Sequence, residues 1–212
     1  SSTSTGLLPP NCLLEMSFPY IGAVAITYNS SIFTRIQYSQ LEGYPYTDTQ
    51  WAICPFFVAK SVLFAPFNVV RYFVGREGQT MDPKELMAGI DKHAYVSLNI
   101  YKEYTTTKSR IAPESRQYVE HVITENARWM VLLYATGYGG FLPESSGEEF
   151  DCCLKKLLPD IYAKTDGLYL GRFIKFRYAK EWRKGYTRDT PAYKLFALKN
   201  MLMSKIKSLC KG

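Results

Sequence analysis

The sequence predicts a mainly α-helical protein with an irregular N-terminal arm carrying a β-hairpin, one strongly apolar helix, and a helical, basic C-terminal part. Three observations predict it. Helix-start signals and 3–4 residue apolar spacing recur after residue 82, prolines and β-formers crowd the first 50 residues, and residues 52–70 carry a single charge. The expected organisation is an extended arm over 1–50, an apolar helix or membrane span over 51–76, and a helical domain over 77–212.

Within the arm, Pro9, Pro10, Pro19 and Pro45 oppose helix formation. Residues 21–28 and 32–38 are rich in β-formers, and Asn29-Ser30-Ser31 between them is a turn signal, so a short hairpin is expected. Asn29-Ser30-Ser31 also fits the glycosylation sequon, which matters only in a secreted chain. The chain opens on Ser-Ser-Thr-Ser-Thr-Gly without Met or an apolar leader, which suggests an end left by processing.

Residues 52–74 approach the length of a bilayer-spanning helix, with Phe56, Phe57, Val58, Lys60, Val62, Leu63 and Phe64 at its centre. Tyr44, Tyr46 and Trp51 before it and Tyr72 and Phe73 after it resemble an aromatic belt. Arg71 and Arg76 would put its C-terminal end on the cytosol-like side. Lys60, Asn68, Pro55 and Pro66 oppose a span. A central Lys costs about 2.5–3.5 kcal/mol on insertion scales. The stretch therefore reads either as a span or as a buried core helix, or two short ones broken at Pro66, inside a soluble domain.

Beyond residue 82 the signals are helical. Asp82-Pro83-Lys84-Glu85 is a capping box with proline at the first helical position. Leu86, Ile90, Ala94, Ser97 and Tyr101 then mark one face of a helix from 83 to about 104, which Thr105-Thr106-Thr107 weakens. A second helix starts at Pro113, buries Tyr118, Val122, Ala127, Met130 and Leu133, and stops at Gly137, Gly139 and Gly140. A third starts from Ser145 or Ser146 and buries Phe150, Cys153, Leu154 and Leu157 up to Pro159. The last runs from Thr190 to about Leu209, with Leu195, Leu198, Leu202, Ile206 and Leu209 on one side.

The formal charge is +7, but it is unevenly placed. Residues 1–50 hold one basic residue, Arg35, against Glu15, Glu42 and Asp48, whereas residues 164–212 hold 13 basic and 3 acidic residues. Such a patch attracts acidic lipid headgroups, nucleic acid or an acidic protein surface. Its densest part, 169–188, interleaves Arg172, Lys175, Arg177, Lys180, Arg183 and Lys184 with Tyr169, Phe173, Phe176, Tyr178, Trp182 and Tyr186. Basic side chains track phosphates and aromatic rings stack on bases, so single-stranded RNA is one expected partner. A membrane surface or neighbouring subunits fit the same string.

No motif for catalysis or metal binding emerges. His93 and His121 have no partner at ligand spacing, and vicinal Cys152-Cys153 lacks the two-residue gap of a zinc or redox motif. Cys153 is expected to face the core and Cys152 its flank. Gly137-Tyr138-Gly139-Gly140 follows a helix instead of preceding one, which marks a helix stop and not a phosphate loop. No catalytic residue, cofactor or metal is therefore assigned. The expected function is a non-catalytic structural subunit of a large assembly, in an organellar inner membrane with the mitochondrion favoured and the C-terminal part on the matrix side. An RNA-binding component of a ribonucleoprotein is the alternative, and an enzyme built from scattered residues a third class.

Overall fold

Local capping chemistry decides where the helices begin and end. In this computed structural model, residues 6–16, 21–65, 70, 71, 73, 78–167, 177–185, 191 and 194 are described. Among them the fold is mainly helical, with no strand beyond two isolated antiparallel bridges, Leu8 with Val62 and Tyr138 with Phe141. The helices are α1 (Ser31–Ile36), α2 (Asp48–Ile53), α3 (Pro83–Ala88), α4 (Ile90–Thr107), α5 (Arg116–Thr136), α6 (Glu148–Leu157), α7 (Pro159–Thr165) and α8 (Tyr178–Arg183). The helix expected over 190–209 lies outside the described residues apart from Pro191 and Lys194, both helical.

The expected hairpin is corrected. Residues 23–25 form a 3-10 turn and α1 stands where the second strand was expected. The Asn29 side chain accepts a hydrogen bond from the Ser31 amide at 3.0 Å, a local turn that starts a helix and offers no strand register. Gln37 closes α1 in the left-handed region at φ 50°, and the Tyr38 amide reaches back to the Phe33 carbonyl.

The single apolar helix is corrected too. α2 ends at Ile53, Cys54–Phe57 form a 3-10 turn, and residues 58–65 are not helical. Pro55 has no amide to donate to an α-helical ladder, so the chain tightens there and then leaves the helix at Val58. Among the described residues no helix is long and apolar enough to cross a membrane.

The helical part follows its signals more closely. The Asp82 side chain accepts from the Lys84 amide at 3.0 Å and starts α3. One helix was expected over 83–104, but the chain breaks at Gly89 before α4 begins. α4 also runs through the threonines to Thr107, and there the Thr105 and Thr107 hydroxyls donate to the Tyr101 and Glu103 carbonyls at 2.8 and 2.7 Å. α6 starts after Gly147. Pro159, read as a stop, occupies the first position of α7 after a turn at Leu158.

The chain divides into two compact units, one of Ser1–Val74 with Tyr95–Asn126 and one of Gly75–Ala94 with Ala127–Gly212. In the first, Ile53, Phe56, Phe57, Ile100, Tyr104 and Tyr118 are buried, and Phe56 packs on Tyr118 at 4.8 Å between ring centroids. Asn11 ties the arm to this unit by donating to the Pro113 carbonyl and accepting from the Tyr118 amide, both at 3.1 Å. In the second, Leu86, Ile90, Met130, Leu133, Phe150 and Leu154 are buried.

Candidate functional site

The apolar stretch splits into a buried and an exposed half. Phe56 and Phe57 are core residues of the first unit, and Val58 is half-buried. Lys60 is exposed, Val62 pairs with Leu8 through two backbone hydrogen bonds, and Leu63 and Phe64 are exposed. Trp51, read as part of an aromatic belt, stacks on Phe33 at 5.0 Å and meets Tyr28 and Tyr38 edge-on. The Tyr28 hydroxyl donates to the Trp51 carbonyl, so this aromatic group knits α1 to α2.

Of the basic residues singled out, Arg172 and Lys175 lie outside the described residues. Arg177, Lys180 and Lys184 are exposed, and Lys184 pairs with Glu181 at 3.2 Å. Arg183 is different. Its Nε donates to both Asp151 carboxylate oxygens at 3.0 Å, its Nη2 to Asp151 at 2.7 Å and its Nη1 to Asp166, while the guanidinium lies over the Tyr162 ring at 3.7 Å. Burial works against its charge, but the Asp151 and Asp166 bonds more than offset that and raise its pKa. The adjacent Trp182 stacks on Tyr134 at 6.1 Å, and Phe150 covers Tyr134 at 5.4 Å. These two members of the aromatic-basic string thus fix α8 to α5, to α6 and to the turn after α7. Sequence reasoning missed the arrangement because Asp151 and Asp166 lie 32 and 17 residues away, beyond any helical i+4 pairing.

A second polar knot in the same unit joins three segments. Asp91 accepts from the Tyr134 hydroxyl at 2.8 Å and from the Ser145 hydroxyl at 2.7 Å. Burial and then the Asp91 carboxylate raise the Tyr134 pKa, which keeps the phenol a donor. In the first unit the buried Cys54 thiol donates to Glu103 at 3.3 Å, and burial followed by that carboxylate pushes the thiol pKa well up. A thiol so held is a poor nucleophile. Cys152 is exposed and Cys153 half-buried on α6, both unbridged. Among the described residues no three His, Cys, Asp or Glu side chains converge as a metal would require.

The turn after α5 presents an apolar surface. Gly137 takes φ 71° and its amide caps the Leu133 carbonyl; Tyr138 and Phe141 then exchange hydrogen bonds at 2.9 and 3.0 Å. Gly139, at φ 59°, lies against Pro83 so closely that a Cβ would fall 2.4 Å from the proline ring. Trp129 supports Tyr138 edge-on at 5.7 Å. Tyr138, Phe141 and Leu142 stay exposed, with Met81, two residues before Pro83, 51% exposed. Sequence reading took the glycines as a helix stop, which they are, and did not see what the stop displays.

No family model matches the chain, and no curated protein or solved structure is significantly similar to it.

Proposed function

We propose that the chain is a non-catalytic structural subunit of a large multiprotein assembly at an organellar inner membrane, the mitochondrial one favoured, with its C-terminal part on the matrix side. The observation that carries the reading is the braced apolar turn. Tyr138, Phe141 and Leu142 are held outward by a backbone that two glycines, a mutual hydrogen-bonded pair and the Pro83 contact all restrain. A surface ordered before binding loses little entropy on docking, and aromatic side chains are the usual anchors of protein interfaces. Water gains nothing from such side chains; an apolar patch on a partner subunit does.

The basic C-terminal quarter supports the membrane side of the reading, because anionic headgroups and acidic partner surfaces both attract it. Trp182 and Arg183 engage their own unit, which favours protein partners over RNA for this string. Site-specific photo-crosslinking tests the reading. A benzophenone side chain in place of Phe141 is expected to yield one discrete crosslinked partner in isolated membranes, and the same group in place of exposed Lys92 none. Equal, diffuse labelling from both positions would remove the turn as a docking surface.

A further inference from the structure

A cleft of about 240 Å³ opens in the first unit between the end of α1, the 3-10 turn after α2 and the turn after α4. Its wall is in two parts. Ile36, Phe57, Val58 and Ile111 supply an apolar floor, and Arg35, Arg110, Gln37 and Thr107 a polar rim. Both arginines are exposed, and among the described residues neither guanidinium has an ion-pair or hydrogen-bond partner. The nearest acid along α4, Glu103, accepts from the Cys54 thiol and is not among the residues that line the cleft. Lys108, over the Tyr104 ring at 5.7 Å, adds a third positive charge close in sequence to Arg110.

Two arginines and four apolar side chains lining one cleft select a ligand with matching halves. The rim fits a phosphate ester, which accepts paired N–H donors from arginine better than any neutral group does. The floor fits hydrocarbon attached to that ester, since a free phosphate would leave Ile36 and Val58 facing water. We infer that this cleft binds one anionic phospholipid, its phosphate between Arg35 and Arg110 and the start of its acyl chains on Ile36 and Val58. The ligand deepens the membrane-complex reading and rests on it for its source, whereas the cleft chemistry stands on the residues alone.

Calorimetric titration of the full chain with monomeric dihexanoyl phosphatidylglycerol tests the site. Dihexanoyl phosphatidylcholine, glycerol phosphate and inorganic phosphate serve as the parallel arms. Binding of the phosphatidylglycerol is expected, with affinity at least about tenfold above the other three, because glycerol phosphate and inorganic phosphate lack the acyl contacts and the phosphatidylcholine brings a trimethylammonium cation beside two arginines. Arg35→Gln with Arg110→Gln should lower that affinity at least about tenfold, each single change contributing a part, and Lys102→Gln on α4 should leave it within about twofold. Far-UV ellipticity should not change, because both arginines are exposed. Equal binding by wild type and the double variant would overturn the site and move the lipid to the basic C-terminal quarter. Equal binding of glycerol phosphate and lipid would overturn the lipid as occupant. Either result leaves the Phe141 crosslink, and hence the subunit reading, standing on its own test.

Discussion

His93 shows how one side chain sets a pH limit on the fold. It is buried, and burial lowers its pKa from 6.5 to about 4. The folded imidazole is therefore neutral down to about 4, while the unfolded one takes up a proton as pH falls below 6.5. The unfolded chain binds more protons in that window, so stability is full above pH 6.5, falls toward pH 4 and then levels off. The loss attributable to His93 is about 2 kcal/mol by pH 5. Urea unfolding at pH 7 and pH 5 should show wild type losing about that much more than His93→Gln; parallel losses would contradict the account. Arg183 is the other telling residue. Arg183→Met leaves Asp151 with no counter-charge in a site where only 15% of its side chain is exposed, a loss of about 2 kcal/mol. Arg183→Lys keeps the charge but loses the fork, so thermal unfolding should rank wild type, Lys, then Met.

At the scale of elements, the glycine turns are the most constrained parts. Gly147 precedes α6 at φ 72°, and a Cβ there would fall 2.4 Å from the Tyr134 ring that Trp182 and Phe150 cover. Gly147→Ala should therefore destabilise by about 2 kcal/mol or more through strain and overpacking, and lower the thermal midpoint by several degrees. An unchanged midpoint would mean that the stack yields. The long helices were legible because their signals are local. Asp82 caps α3 as its sequence context predicts, and Leu86, Ile90, Ala94, Ser97 and Tyr101 are all buried along the predicted stripe. The 21–38 segment was not legible, since β-formers such as Ile32 and Ile36 outweighed a turn signal that only the Asn29–Ser31 bond reveals as a helix start. The apolar run failed for a related reason. A row of Phe and Val reads alike whether lipid or a protein core covers it, and Pro55 shortens the helix before length can discriminate.

On the scale of the whole molecule, the candidate surfaces were only half visible in the sequence. The basic-aromatic composition of 169–188 was plain, but composition does not say which side chains face inward, and Trp182 and Arg183 do. Gly137 and Gly139 were plain as a helix stop, whereas the exposure of Phe141 and Leu142 depends on Pro83, more than 50 residues earlier. The Arg35 and Arg110 cleft joins positions 75 residues apart and has no sequence signature at all. The central claim is that this chain works as a docked subunit, and its mass in gently solubilised membranes tests that most directly. The account predicts that the 24.3 kDa chain migrates on a native gel within one discrete particle several times its own mass, and that Phe141→Asp releases it as a folded species. Migration of the wild-type chain at its own mass would contradict the account.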